Sequence, residues 1–183
     1  MRRRTLLAAV STIIATGSIM SAEAADLENT LYLELKDGRV VIQLFPEIAP
    51  KHVARIKELA REKFYDGIVF HRVIEGFMAQ TGDPTGTGMG GSKKGNVKAE
   101  FTRDKSFLRG TVGAARSQDP DSADSQFFIM FAPATHLNGQ YTIWGQVTSG
   151  MDLVDKVKRG AGGSGTVSNP DKIISLRVAA DVK

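Results

Sequence analysis

The sequence predicts a mainly β protein, in the form of an antiparallel barrel or sandwich capped by helices. Short runs of alternating or β-rich side chains recur along the chain, turn-forming residues separate them, and only two stretches have helical periodicity. The 183 residues contain no internal repeat and no low-complexity linker, so one domain is expected.

A β-hairpin and an amphipathic helix are predicted at the start of the domain. Residues 31–35 and 40–45 alternate on either side of an Asp-Gly dipeptide, which is typical of hairpin turns. Residues 49–64 place apolar side chains three and four residues apart, and Pro50 stands where the first helical turn would lie.

Six further strands and a short second helix are predicted downstream from the same two periodicities. The strands are expected at residues 69–74, 77–81, 111–115, 126–131, 142–147 and 173–182, and the helix at residues 151–158. Residues 82–95 contain six glycines, which predicts a long loop after one of these strands.

The N-terminal residues have the three parts of a secretory signal peptide. Three arginines follow the first Met, an uncharged and mostly apolar run follows them, and the Ala-Glu-Ala triplet at residues 22–24 matches a cleavage site. A membrane anchor is the alternative, but the apolar run is shorter than the ~20 residues that a spanning helix needs. The arginines also resemble a twin-arginine export signal, although the ordinary export route is favoured. We therefore predict a signal peptide at residues 1–24, a domain at residues 25–183, and a periplasmic or secreted protein.

The composition narrows the classes of partner. The predicted signal peptide contains three of the 24 basic residues and one of the 20 acidic residues, so the rest of the chain has a formal net charge of +2. No block of Lys and Arg occurs there, which argues against nucleic-acid binding, and cleavage would leave no membrane segment. The chain has no cysteine, so an exported domain must be held together by its core alone.

The most informative segment places one arginine among apolar side chains and an amide. Arg72 is followed by Phe77, Met78 and Gln80, and the segment has neither a nucleophile-and-base pair nor a cluster of metal ligands. In a strand Met78 and Gln80 share a face, and Arg72 joins them if its strand pairs with theirs. A guanidinium donates hydrogen bonds but loses no proton, so it suits a reaction that breaks no covalent bond. The alternative is a surface ion pair with a nearby carboxylate such as Glu75.

Other segments have weaker signals. Residues 125–128 (SQFF) could face a ligand, although such a pattern more commonly belongs to a buried core strand. Residues 111–116 have small side chains that would let a ligand approach the backbone. The three histidines lack metal-ligand spacing, and the glycine-rich residues 85–91 lack the Lys-Ser/Thr of a phosphate loop.

Four motifs, taken together and in order, resemble those of the cyclophilin-type peptidyl-prolyl cis-trans isomerases. They are residues 70–83 (FHRVIEGFMAQTGD), 86–88 (GTG), 125–129 (SQFFI) and 144–147 (WGQV). The resemblance extends from about residue 30 to residue 182, and the exported, cysteine-free form is similar to bacterial periplasmic members. It implies a closed eight-stranded antiparallel β-barrel capped by two α-helices, isomerisation of X–Pro bonds, no metal and no cofactor.

The resemblance also implies the site residues, carried over by position. Those with a catalytic role are Arg72, Gln80, Phe77 and Phe128, with Arg72 stabilising the twisted amide in an apolar proline pocket. Those that would bind substrate are His71, Met78, Gly86, Ala115, Arg116, Ser117, Gln126, Leu137 and Tyr141.

Three residues depart from the pattern of many family members. His136 stands where many eukaryotic members have tryptophan, which predicts weak cyclosporin binding; Tyr141 stands where they have histidine, and Ala114 replaces a common methionine. The expected partners are proline-containing segments of unfolded or exported proteins, bound by a monomer. A non-catalytic peptide-binding chaperone on the same fold is the alternative, but a pure binder would not need Arg72.

Overall fold

The computed structural model describes residues 26–182, so the predicted signal peptide at residues 1–24 lies outside the described part. Within these residues, eight strands form one antiparallel sheet, which confirms the mainly β prediction. The strands are β1 (Thr30–Leu35), β2 (Gly38–Leu44), β3 (Arg72–Ile74), β4 (Met78–Thr81), β5 (Thr111–Ala114), β6 (Phe127–Met130), β7 (Ile143–Ser149) and β8 (Ser175–Val178). The α-helices are α1 (Pro50–Arg61) and α2 (Met151–Val154).

The sheet is curled but open, so the prediction of a closed barrel is not confirmed. The strand order is β3-β4-β6-β5-β7-β2-β1-β8, and within the described residues no ladder joins β3 to β8. Single backbone hydrogen bonds span the gap, such as that from Phe70 N to Asp171 O over 2.9 Å. A continuous ladder is interrupted here because Asn169 has a left-handed φ of 52° and Pro170 has no N–H to donate.

Apolar side chains lie on both faces of this sheet. On the inner face, Val73, Ala79 and Ile129 are direct neighbours across β3, β4 and β6 and belong to the main core. Each large apolar side chain buried in this way contributes about 1.5–3 kcal/mol to folding. A second, smaller apolar cluster includes Phe128 and Leu137, and it is this cluster that the site uses.

The helices differ in number from the prediction. α1 buries Val53, Ile56 and Leu59 and packs against β8, as its amphipathic pattern predicts. A cap of only two helices is not confirmed, because residues 26–28 are also helical and two 3₁₀ helices occur at Thr135–Leu137 and Ala179–Asp181. No helix within residues 26–182 has the length and hydrophobicity needed to cross a membrane.

The last strand is shorter than predicted. Alternation predicts a strand over residues 173–182, but β8 ends at Val178 and a 3₁₀ helix follows. Val178 is paired with Leu31 near the start of β1, so residues after Val178 find no strand beside them. Pairing, rather than the apolar pattern, therefore decides where the strand ends.

The predicted loop at residues 82–95 is confirmed as irregular.

Candidate active site

The site begins with a row of side chains across three neighbouring strands. Arg72 of β3 is paired with Gln80 of β4, and Gln80 is paired with Phe128 of β6. Directly opposed residues of antiparallel strands project to the same face, so the cation, the amide and the ring lie side by side. This is the strand pairing on which the sequence prediction for Arg72 depends.

A cavity of about 180 Å³ opens over this row. All nine residues that line it are among the predicted site residues: Arg72, Phe77, Met78, Gln80, Ala115, Arg116, Phe128, Leu137 and Tyr141. Met78, Phe128 and Leu137 are buried in the second apolar cluster, so they form an apolar floor, whereas the arginines and Gln80 are half-buried at its polar side.

The ring of Phe128 is held in a fixed place by its neighbours. It stacks on Phe107 with 5.7 Å between ring centroids, and Tyr141 meets it edge-on at 5.8 Å. Gly113 of β5 lies opposite Phe128, where a Cβ atom would come within 2.7 Å of both phenylalanine rings. A glycine is therefore needed at this position to leave room for the floor of the cavity.

Arg72 is held from two sides. Its Nη1 donates to Gln80 Oε1 over 3.2 Å, and its Nε donates to the backbone oxygen of Ser164 over 3.0 Å. Nη2 has no hydrogen bond to the described residues, and Arg72 forms no ion pair with them. Glu75, the carboxylate considered for such a pair, instead contacts Arg159 at 2.6 Å. The guanidinium is thus oriented, with donors left for a ligand.

Gln80 is itself oriented by a chain of amides. Its Nε2 donates to Gln126 Oε1 over 2.9 Å, and Gln126 Nε2 donates to the backbone oxygens of Gly88 and Gly90 over 3.0 and 2.8 Å. Because Gln80 Nε2 has a partner, its Oε1 stays directed at Arg72. The loop at residues 82–95 therefore supports the arginine through two glutamines.

A second cavity, of about 270 Å³, lies beside the first and shares Gln80, Ala115 and Arg116 with it. It is also lined by two more of the predicted site residues, Ser117 and Gln126. The two cavities are therefore neighbours on the same side of the sheet, separated only by these three shared residues.

Two predicted site residues line neither cavity. His71 is only 7% exposed, and its ring lies behind Gly88, where an added Cβ would be 3.5 Å away. Burial lowers the pKa of His71 below its ordinary value, so the ring is neutral at pH 7 and packs under the loop. Gly86 lies close to the side chain of Val69 and also lines neither cavity.

The loop that carries these residues is anchored by a buried carboxylate. Asp83 accepts hydrogen bonds from the backbone N–H groups of Thr85, Gly88 and Gly90 over 2.8, 2.6 and 3.1 Å. Burial raises the pKa of Asp83, but these donors and the Thr85 hydroxyl outweigh burial and lower it to about 2. Asp83 is thus a charged carboxylate that fixes the loop through several hydrogen bonds, and it is not an acid for catalysis at neutral pH.

The sequence prediction missed Ser164, and it interpreted Gly113 only as one of the small residues of 111–116 that would admit a ligand, whereas the space at Gly113 is filled by the rings of Phe107 and Phe128. Ser164 acts through a main-chain carbonyl, so it has no chemical signature of its own. The density of glycines at residues 160–165 was the available signal for Ser164.

Among the described residues there is no group of three or more His, Cys, Asp or Glu placed to hold a metal ion.

Comparison with known proteins places this arrangement in a family. The family model described as cyclophilin type peptidyl-prolyl cis-trans isomerase matches residues 30–178. A Brucella suis protein named "Probable peptidyl-prolyl cis-trans isomerase" is 52% identical, over 99% of this chain and 98% of its own length. Peptidyl-prolyl cis-trans isomerase B of Bacillus subtilis is 41% identical, over 72% of this chain and 92% of its own length.

Solved structures with a similar fold are also cyclophilins. The cyclophilin AquaCyp293 from Hirschia baltica has a TM-score of 0.77 at 27% identity and covers 93% of this chain and 83% of its own. A cyclophilin of Cryptosporidium parvum, crystallised in the presence of the dipeptide Ala-Pro, has a TM-score of 0.76 at 27% identity, over 81% of this chain and 98% of its own. The chain therefore belongs to the cyclophilin-type peptidyl-prolyl cis-trans isomerases.

Proposed function

We propose that this isomerase acts on X–Pro bonds in exported proteins during their folding, with Arg72 stabilising the twisted amide. The observation that supports this most strongly is the oriented guanidinium at the rim of an apolar cavity, with Nη2 free of partners among the described residues. Proline-containing segments of unfolded or exported chains are the proposed substrates, and the Ala-Pro dipeptide named for the Cryptosporidium parvum structure is of that class.

The physical reason lies in the planar amide. Rotation about the X–Pro bond loses amide resonance, which gives a barrier of ~18–20 kcal/mol. In the twisted state the prolyl nitrogen regains a lone pair, which Arg72 can stabilise by donating a hydrogen bond, or Arg72 can hold the neighbouring carbonyl while the other half turns. An apolar floor formed by residues such as Phe128 and Leu137 also favours the less polar twisted amide. Each ~1.4 kcal/mol removed from the barrier gives about tenfold in rate.

The two cavities suggest how the rest of the peptide is held. The proline ring would enter the cavity over Phe128, and the residue before it would follow the wall formed by residues 115–117. Earlier residues would reach the second cavity beside Gln126. His136 is exposed at the rim and stacks on Phe77 at 6.1 Å, where it offers a smaller surface than a tryptophan. We accordingly propose that cyclosporin binds weakly.

Export is the second part of the proposal, and the signal-like sequence at residues 1–24 supports it. Cell fractionation of the organism that makes the protein, followed by mass spectrometry, would test it. We expect a periplasmic or secreted form whose first residue is Ala25. A full-length cytoplasmic form alone would contradict the localisation but leave the isomerase chemistry untouched.

Replacement of the arginine tests the catalytic role. We expect Arg72→Ala to lower kcat/KM for a prolyl peptide by more than about tenfold, because the twisted amide loses its hydrogen-bond donor. The melting temperature should stay close to that of the wild type, since Arg72 is half-buried and outside the main core. Arg39→Ala is a matched control, because Arg39 lies on β2, which contributes no residue to the cavity. Equal activity of Arg72→Ala and wild type would refute the role of Arg72.

A further inference from the structure

A glycine-rich hairpin covers the outer edge of β3, the strand that carries Arg72. We define this hairpin as residues 160–166. Gly160 N donates to Val73 O over 2.9 Å, and Val73 N donates to Gly165 O over 2.7 Å. β3 is the first strand in the sheet order, so without the hairpin this backbone edge would be unpaired.

The tip of the hairpin reaches the guanidinium. Residues 161–164 are exposed, yet the backbone oxygen of Ser164 accepts the hydrogen bond from Arg72 Nε over 3.0 Å. The guanidinium is planar, so once Gln80 has bound Nη1 and Ser164 has bound Nε, the direction of Nη2 is set. Gln80 alone would leave the plane free to rotate about a single contact.

Only glycines allow the two arms of the hairpin to pack this closely against each other and against β3. A Cβ atom at Gly160 would lie 1.9 Å from the backbone oxygen of Gly165. A Cβ atom at Gly165 would lie 2.4 Å from Ile74 Cγ1, and Gly165 also has a φ of +72°. The nearby Gly163 is different, because nothing lies within 4 Å of the position that its Cβ would occupy. The tight packing at Gly160 and Gly165 therefore brings Ser164 to Arg72.

We propose that hairpin 160–166 is a positioning element for Arg72, which it aims by the Ser164 backbone oxygen. The inference rests on the proposed catalytic role of Arg72 and adds an element to it. The side chains that line the cavity come from other parts of the chain, so the hairpin contributes to the site only through the direction of Arg72. A misaimed arginine should consequently lower kcat far more than it raises KM, since only the transition state needs the correct direction.

Substitutions within the hairpin test this. Gly165→Ala forces the hairpin away from Ile74, and we expect kcat to fall by roughly tenfold while KM stays within about twofold. Gly163→Ala, where the added methyl has room, should retain wild-type kcat within about twofold. Assays are run well below the melting temperature of each variant, with circular dichroism to confirm folding.

A spectroscopic measurement separates positioning from general damage, and its wild-type result does not depend on any hairpin variant folding. The ¹H–¹⁵N signal of Arg72 Nε, assigned by its absence in Arg72→Lys, should be protected from exchange in the wild type and lose that protection in Gly165→Ala. Rapid exchange of this signal in the wild type would overturn the proposal. So would full kcat in Gly165→Ala, or an equal loss in Gly163→Ala.

The hairpin proposal and the catalytic proposal fail differently. If Arg72→Ala is as active as the wild type, the catalytic role fails, whatever the hairpin variants do. If Arg72→Ala is inactive while Gly165→Ala is fully active, only the positioning role of the hairpin fails.

Discussion

At the scale of single residues, Arg116 shows that a side chain can line a cavity without offering its charge to a ligand. Its Nε and Nη2 donate to the backbone oxygen of Gln140 over 3.1 and 2.8 Å, and its Nη1 donates to that of Ser117 over 2.8 Å. The guanidinium also lies over the ring of Tyr141, 4.4 Å from its centroid. Arg116 thus ties two walls of the site together and holds the ring that meets Phe128 edge-on.

This geometry predicts an effect on binding. Arg116→Ala should raise KM by about fivefold and change kcat by less than about twofold, because a loosened wall weakens ground state and transition state alike. Arg116→Lys should be intermediate, since an ammonium cannot bind the carbonyls in the same fork or stack as well on Tyr141. Steady-state kinetics on a prolyl peptide would measure both values.

Two comparisons control that experiment. Tyr141→Phe keeps the ring under the guanidinium and should behave nearly as the wild type does. Arg103→Ala removes an exposed arginine that lines neither cavity, so it should change nothing. A fall in kcat at unchanged KM for Arg116→Ala would mean that Arg116 acts on the transition state, against this interpretation.

The sequence could predict some residues of the site because the alternating pattern of their strands shows which side chains share a face. Arg72, Gln80 and Phe128 lie in motifs of alternating strands, and pairing then places them in one row. Ser164 could not be found in this way, since it is 92 residues from Arg72 and acts through an atom that every residue has. Contacts made by the main chain depend on the folded path and leave no pattern of side chains.

At the scale of elements, α1 likewise combines a feature that the sequence predicts with one that depends on the folded path of the chain. Its apolar periodicity predicts the helix, whereas its first N–H groups are bound from far away by Glu100, which accepts from the backbone of Lys51 and His52 over 3.1 and 3.0 Å. Ala49, the residue before the helix, provides no side-chain cap. A carboxylate 48 residues downstream thus takes the part that a Ser or Asp would usually play.

The other end of α1 contains a strained residue. Lys63 has a left-handed φ of 58°, its N–H donates to Ala60 O over 3.1 Å, and Phe64 N donates to Leu59 O over 3.0 Å. This is the Schellman arrangement, in which the left-handed position is usually glycine because a Cβ atom there is unfavourable. The helix therefore ends at Arg61 and not at the predicted residue 64. The turn that ends it holds Lys63 in a backbone conformation that is unfavourable for a residue with a side chain.

Lys63→Gly should accordingly stabilise the protein. We expect the free energy of unfolding to rise by about 0.5–1 kcal/mol, because relief of the left-handed strain outweighs the extra freedom of glycine in the unfolded chain. Lys63 is exposed and its charge is only the last of the causes that lower the pKa of Asp66, after Arg177, so little is lost with its side chain. Urea denaturation measures the change, and Lys63→Ala, which keeps the strain, should show no gain. A loss of stability in Lys63→Gly would contradict this account.

At the scale of the whole molecule, the alternation of the strands builds two apolar clusters. One is the main core, and the other underlies the cavity around Phe128. A sequence-based prediction of strands therefore finds much of the fold and of the site together, since both follow from the period of two. It cannot find how the sheet edges meet, because that depends on the break at Asn169 and Pro170 and on single hydrogen bonds across the gap.

The loop at residues 82–95 couples the site to the stability of the whole molecule through Asp83, which is fully buried and has its pKa lowered to about 2. A carboxyl whose pKa is depressed on folding stabilises the native state above its ordinary pKa, and this contribution is lost as pH falls through the folded value. From an ordinary value of 3.8, the shift corresponds to about 2 kcal/mol, lost between roughly pH 4 and pH 2.

Asp83→Asn should reveal this contribution as a difference between two stability curves. Other carboxyl groups with lowered pKa values, such as Glu100 and Asp171, also weaken the fold in acid, but they do so in both proteins and cancel in the difference. We expect Asp83→Asn to be less stable than the wild type at pH 7, and the two curves to converge by about pH 2. Urea denaturation at a series of pH values measures both curves, with Asp104→Asn, at an exposed site, as the control. A difference that stays constant from pH 7 to pH 2 would mean that the side-chain shape of Asp83, and not its charge, holds the loop beneath Gln126 and Arg72.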